Sequence, residues 1–209
     1  MIRQDNTVIL VAINDELPKH VLPGWNIQYT GVGKVNAAYQ ATRAAYKFKP
    51  DNIINYGSAG SLNPKISGLQ QVTRFFQRDM QAEQIGFKVG DTPFDEINTI
   101  TTGSEGISCS TGDNFVDKNP TIISELVDME SYAIAKVCIK ENIQFYCFKF
   151  VSDQANEDAS IDWKSNLSFG ANIFKSRLLN NLVQWLGSVC TGNCIVGLNP
   201  IILEIFWIC

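Results

Sequence analysis

The chain has 209 residues, enough for one domain with a substantial core. Hydrophobic residues make up 45% of it and charged ones only 18%, which excludes the composition of a disordered chain. A net charge of −4 leaves no basic footprint for nucleic acid.

Short apolar, β-branched runs alternate with stretches of helical period, predicting an α/β domain around a mostly parallel or mixed sheet. Thr7–Ile13 reads as a buried strand, followed by the acidic turn Asn14-Asp15-Glu16. Asn26–Thr30 reads as a second strand, ending in Gly31-Val32-Gly33-Lys34, and the alanine-rich Val35–Phe48 as a helix. Asn52–Tyr56 is the next strand, ending at Gly57-Ser58-Ala59-Gly60. Mixed polarity and the bends at Gly86, Gly90 and Pro93 make Leu69–Thr102 a loop-rich stretch. Gly106–Cys109 predicts a strand ahead of Thr111–Val116, and Leu126–Met129 leads into a helix that ends near Asn142. Phe145–Val151 is a strongly apolar strand that stops at Ser152-Asp153, and a last helix runs from Trp163 or Ser168 to Leu186.

Residues 1–187 therefore read as the domain and 188–209 as a tail. Its apolar stretch Ile195–Cys209 contains Asn199, Pro200 and Glu204 and falls short of the ~20 residues of a membrane span, so no membrane partner is expected. Binding a partner, or belonging to the core, are its other readings. The amino terminus lacks the basic segment and long apolar stretch of a leader, and the six cysteines show no zinc spacing. Free thiols and a cytoplasmic location follow, with no metal expected. His20 is the only histidine and lies near the amino terminus, so a Ser-His-Asp scheme is hard to build and chemistry must rest on carboxylates.

Ligands of open α/β sheets bind at the carboxyl ends of strands, which draws Glu16, Gly57–Gly60 and Ser152-Asp153 toward one crevice. Taken singly, each reads more readily as a helix cap or a turn. Gly31-Val32-Gly33-Lys34 completes neither a phosphate loop nor Gly-x-Gly-x-x-Gly, so it reads as a glycine turn with Lys34 structural or peripheral. In Val127-Asp128-Met129-Glu130 two acids bracket a methionine where a strand enters a helix. A carboxylate there suits the two hydroxyls of a vicinal diol, or the positive end of the helix dipole.

Five blocks occur in order: Gly31-Val32-Gly33-Lys34-Val35-Asn36-Ala37-Ala38, Asn55-Tyr56-Gly57-Ser58-Ala59-Gly60, Thr111-Gly112-Asp113-Asn114-Phe115, Val127-Asp128-Met129-Glu130 and Val151-Ser152-Asp153-Gln154-Ala155. Together they resemble the nucleoside phosphorylase and nucleosidase superfamily, and most of all the bacterial 5′-methylthioadenosine/S-adenosylhomocysteine nucleosidases.

The resemblance implies a three-layer α/β/α sandwich with a central mixed, mostly parallel sheet, and hydrolysis of 5′-modified adenosines with no cofactor. It implies Asp153 as the acid at purine N7, with Ser152 in the same block, and Glu16 as the base that activates water, with Ser58, Ala59 and Gly60 beside it. Glu130 would hold the ribose hydroxyls next to Asp128, Met129 would pack against the sugar, Phe115 would stack on the purine, and the Val116 backbone would meet its edge. Ile85 and Pro93 would reach a neighbouring subunit's 5′-pocket, implying a homodimer.

Superfamily phosphorylases hold phosphate with basic groups, whereas this chain has Ile13-Asn14-Asp15-Glu16 at the first strand, which favours water. Phosphorolysis and non-catalytic nucleoside binding remain the alternatives. The chain also departs from its likeness: only 14 residues separate Glu16 from Gly31, Lys149 replaces an arginine, Asp128 a glutamate, and Gln81 an acid.

Overall fold

The computed structural model describes residues 2–116, 120–153 and 170–189. Eight strands and three helices are present among them: β1 (Thr7–Val11), β2 (Asn26–Tyr29), α1 (Lys34–Phe48), β3 (Asn52–Ser61), β4 (Leu69–Gln77), β5 (Thr99–Thr101), β6 (Ile107–Thr111), β7 (Leu126–Asp128), α2 (Ser131–Lys140), β8 (Gln144–Asp153) and α3 (Gly170–Val189).

The strands form one mixed sheet in the order β2-β1-β3-β7-β6-β4-β5, with β8 bridging β3 and β4. Five pairings are parallel (β1 with β2 and β3, β3 with β8, β6 with β4 and β7) and three antiparallel (β3 with β7, β4 with β5 and β8). The pairings β3-β7-β6-β4-β8-β3 close a ring, so the sheet curls and several strand ends meet at one rim.

Helices cover both faces. Ala37, Ala41, Ala44 and Ala45 recur at helical spacing along α1, and their small side chains form its buried face. Ala37, Ala41 and Ala44 pack with Val8, Leu10, Phe75, Leu126, Ile134 and Cys138 on the α1–α2 side. On the other face Ile9, Val11, Leu17, Trp25 and Tyr56 receive α3 through Ala171, Phe174 and Leu178. Phe174 stacks on Tyr56 with ring centroids 4.3 Å apart. Each such side chain, fully buried, contributes roughly 1.5–3 kcal/mol. The expected three-layer α/β/α architecture is the observed one.

Most strand ends shift by one or two residues, as where β1 stops at Val11 and β6 runs to Thr111, and three differences are larger. The stretch expected to be loop-rich opens with the nine-residue strand β4, because Val72 and Phe75 are buried and β6 and β8 take up its backbone groups. From Arg78 to Asn98 it is irregular apart from a short 3-10 turn at Glu83–Ile85. The strand expected to end at Tyr56 continues to Ser61, since Gly57–Gly60 pair with the end of β8. The last helix is described from Gly170 and passes Leu186 to Val189, into the segment read as a tail; residues 190–209 lie outside the described residues, as do Trp163 and Ser168. Among the described residues, no helix is long and apolar enough to cross a membrane.

Candidate active site

At the rim of the ring lies a cavity of about 180 Å³. Glu16, Ser58, Ala59, Gly60, Phe115, Val116, Asp128, Met129, Glu130, Ser152 and Asp153 all line it. These are all of the positions expected within one subunit. Ile85 and Pro93 do not line it; Ile85 is 64% exposed on the Glu83–Ile85 turn, and Pro93 is half-buried.

Glu16 enters on the turn after β1, whose backbone closes from Glu16 N–H to the Ile13 carbonyl, while the neighbouring Leu17 is buried in the α3-side core. Its Oε1 accepts from the Ser58 N–H at 2.7 Å and the Ser58 hydroxyl at 2.6 Å. Its Oε2 is buried with no hydrogen-bond partner among the described residues. A Cβ at Gly57 would stand 3.3 Å from Lys149 Nζ and 3.4 Å from Glu16 Oε1, so this glycine lets an ammonium and a carboxylate flank the strand.

Asp153 ends β8. The register between β3 and β8 slips there, from Ala59 opposite Val151 to Gly60 opposite Asp153. Such a bulge re-aims side chains at a sheet rim. The Ser152 hydroxyl donates to Asp153 Oδ2 at 2.8 Å.

Asp128 and Glu130 bracket the step from β7 into α2, and their environments drive them apart. Asp128 accepts from Lys149 Nζ at 2.8 Å, Thr111 Oγ1 at 2.5 Å and the Ser131 N–H at 2.8 Å. Burial opposes its charge, but Lys149 and these donors outweigh it and hold the carboxyl below its usual range. Burial likewise opposes the Lys149 charge, and Asp128 overcomes it, keeping the ammonium firmly protonated.

Glu130 has less support: its Oε1 accepts the Gly33 N–H at 3.0 Å, while Lys149 stands 4.0 Å from Oε2. Burial, reinforced by the negative charges of Asp128 and Glu16, pushes its pKa up to about 7. Gly33 immediately precedes α1, whose Lys34 pairs with Asp79 and lies 3.8 Å from Asp113. Of the two readings left by the incomplete glycine motif, Lys34 is therefore structural and not peripheral.

Sequence reasoning had not assigned site roles to Ala12, Ile13, Val32, Arg78, Asn114 and Val127, which complete the wall. Arg78 alone among them is charged. Its signal was faint: a single cation just past an unrecognised strand, followed directly by Asp79.

Residues 25–100 match the family model described as the phosphorylase superfamily. A 5′-methylthioadenosine/S-adenosylhomocysteine nucleosidase of Staphylococcus aureus (strain bovine RF122 / ET3-1) is 30% identical over 189 residues, covering 77% of this chain and 81% of the relative. The enzyme of that name from Buchnera aphidicola subsp. Acyrthosiphon pisum is 30% identical over 185 residues, covering 74% and 79%.

Two solved structures from Helicobacter pylori share the fold at a TM-score of 0.74 and 20% identity. One is a 5′-methylthioadenosine/S-adenosylhomocysteine nucleosidase with butyl-thio-DADMe-Immucillin-A, covering 85% of this chain and 97% of that one. The other is a futalosine hydrolase mutant, covering 85% and 98%. The chain belongs to the 5′-methylthioadenosine/S-adenosylhomocysteine nucleosidase family within the phosphorylase superfamily, and is an N-glycosyl hydrolase acting on purine nucleosides.

Proposed function

We propose that the enzyme hydrolyses 5′-modified adenosines of the methylthioadenosine and adenosylhomocysteine type to adenine and the free sugar. The observation that carries this reading is the convergence of Glu16, Glu130 and Asp153 on one cavity whose wall also bears Phe115 and Met129. Phe115 stacks on the purine, the Val116 backbone meets its edge, Met129 packs against the sugar, and Glu130 accepts from the 2′- and 3′-hydroxyls.

The bond from C1′ to N9 breaks with its electron pair going to the purine, and Asp153 gives its proton to N7, so adenine leaves neutral. Water adds to C1′ beside Ser58 and yields its proton to Glu16. Proton return from Glu16 to Asp153 through solvent completes the cycle. Glu16 Oε2, which has no hydrogen-bond partner among the described residues, supports the role of base, because Ser58 engages Oε1 and leaves the second oxygen as an acceptor.

The charges favour water over phosphate as the nucleophile. Asp128 takes up the Lys149 ammonium, and Arg78, the one cation lining the cavity among the described residues, is held by four backbone carbonyls. Neither cation is left to hold a phosphate, and an entering anion meets the Glu16 carboxylate in a low-dielectric wall. The buried thiols of Cys109, Cys138 and Cys147 suit a reducing compartment, in keeping with the cytoplasm.

Glu130→Gln tests the sugar assignment. It should raise KM for 5′-methylthioadenosine about tenfold or more, the size of a lost charge-assisted hydrogen bond, and much less for the 2′-deoxy analogue. Because the Glu130 pKa lies above its unfolded value, at about 7, the wild-type side chain is neutral below that pH. The penalty of the substitution should therefore be full above pH 7 and shrink as pH falls through it. Equal losses on both sugars would remove Glu130 from the 2′-hydroxyl.

The same reading includes a homodimer that closes the 5′ end of the site, with Ile85 and Pro93 reaching the partner. Ile85 and Phe94 are exposed near one another in sequence on the segment after β4, and Phe94 is edge-on to Phe87 with centroids 5.4 Å apart. Ile85→Asp should give a monomer by size-exclusion chromatography and a raised KM. An unchanged dimer with unchanged KM would refute the shared pocket.

A further inference from the structure

Two charged groups of the described cavity wall take no part in the proposed chemistry: Asp128, which Lys149 neutralises, and Arg78. Arg78 directly follows β4, is 7% exposed, and its backbone N–H donates to the Thr111 carbonyl at 2.8 Å. Nη1 donates to the carbonyls of Ser110 and Asp128, each at 2.7 Å. Nη2 donates to those of Gly112 at 3.1 Å and Asn114 at 2.5 Å.

These carbonyls belong to two different pieces of chain. Ser110, Gly112 and Asn114 lie on β6 and on the loop that delivers Phe115 and Val116, whereas Asp128 ends the strand that delivers Met129 and Glu130. A planar guanidinium with five N–H groups reaches both pieces at once; a lysine ammonium, with three donors on one nitrogen, cannot reproduce that fork.

Two neighbours extend the joint. Asp79 takes the Lys34 ammonium and, at 2.8 Å, the Asp113 N–H, so the start of α1 that supplies Gly33 N–H to Glu130 is tied to the same loop. Gly112 lies directly against the guanidinium. A Cβ there would stand 2.9 Å from Arg78 Cζ and 3.0 Å from Nε, inside van der Waals contact.

We propose that Arg78 is the positioning residue of the nucleobase side, clamping the Gly112–Val116 loop to the end of β7 and so fixing Phe115 and Val116 at working distance from Glu130. The proposal rests on the reading that Phe115 and Val116 hold the purine. Its effect falls on base affinity and not on proton transfer. Asp153 and Glu16 stand on β8 and the β1 turn, neither of which supplies a carbonyl to Arg78.

Arg78→Lys and Gly112→Ala disturb the contact from its two sides, and Phe115→Ala serves as the reference. The inhibition constant of free adenine, KM, the pH profile of kcat and the thermal midpoint are measured for each. Arg78→Lys should weaken adenine about tenfold, the scale of one lost hydrogen bond to a charged group, and raise KM, while the shape of the kcat pH profile stays that of the wild type. Gly112→Ala should show the same signature, and it decides the matter should Arg78→Lys not fold.

Added methylguanidinium should restore part of the adenine affinity to Arg78→Ala. A lowered thermal midpoint with unchanged adenine affinity, where Phe115→Ala does weaken adenine, would overturn the positioning role alone. Unchanged adenine affinity in all the variants, Phe115→Ala included, would overturn the reading of the loop as the purine site and the proposal with it.

Discussion

Asp153→Asn should lower kcat by about 10²–10⁴-fold, the usual worth of a positioned general acid, with a far smaller change in ground-state binding. The amide keeps the shape and can still accept the Ser152 hydroxyl now donated to Asp153 Oδ2. It has no acidic proton for N7, so the purine would have to leave as an anion. A substrate whose leaving group needs no proton, such as a 4-nitrophenyl riboside, should lose much less in the same variant. Near-wild-type turnover of 5′-methylthioadenosine by Asp153→Asn would remove the acid assignment.

Glu16→Gln should be comparably damaging, by about 10²-fold or more in kcat, for a different reason. Its carbonyl oxygen can still accept from the Ser58 N–H and hydroxyl, so the turn after β1 keeps its anchor. The acceptor Oε2, without a hydrogen-bond partner among the described residues, becomes an amide nitrogen, which donates and cannot take a proton from water. Here the nitrophenyl substrate should bring no relief, because water activation is common to both leaving groups. A full recovery with that substrate would place Glu16 on the leaving-group side and contradict its role as base. Measured together, the two variants separate the acid from the base by leaving-group dependence.

What could be read from sequence divides along physical lines. Strand-end carboxylates and short side-chain motifs were legible, and Glu16, Ser58, Glu130 and Asp153 do converge on one cavity. The core strands β1 and β8 were legible too, β1 being apolar from Val8 to Val11 and β8 from Phe145 to Val151 save for Lys149.

β4 was hidden because only some of Leu69–Gln77 are buried and its polar residues resemble a loop; its order comes from ladders with strands far away in sequence. The extension of β3 through Gly57–Gly60 was hidden for a related reason, as glycines read as a turn until β8 pairs with them. Arg78 was invisible as a site residue because its side-chain partners are backbone carbonyls, which leave no mark in the identities of Ser110, Asn114 or Asp128.

The central claim is that this cavity splits the N-glycosidic bond of a 5′-modified adenosine with water. The most direct test incubates the purified enzyme with 5′-methylthioadenosine, with and without inorganic phosphate, and identifies the products by liquid chromatography and mass spectrometry. Adenine and free 5-methylthioribose should form in equal amounts, at a rate that phosphate does not raise. Adenine release that requires phosphate and is matched by the sugar 1-phosphate, or no adenine release at all, would contradict it.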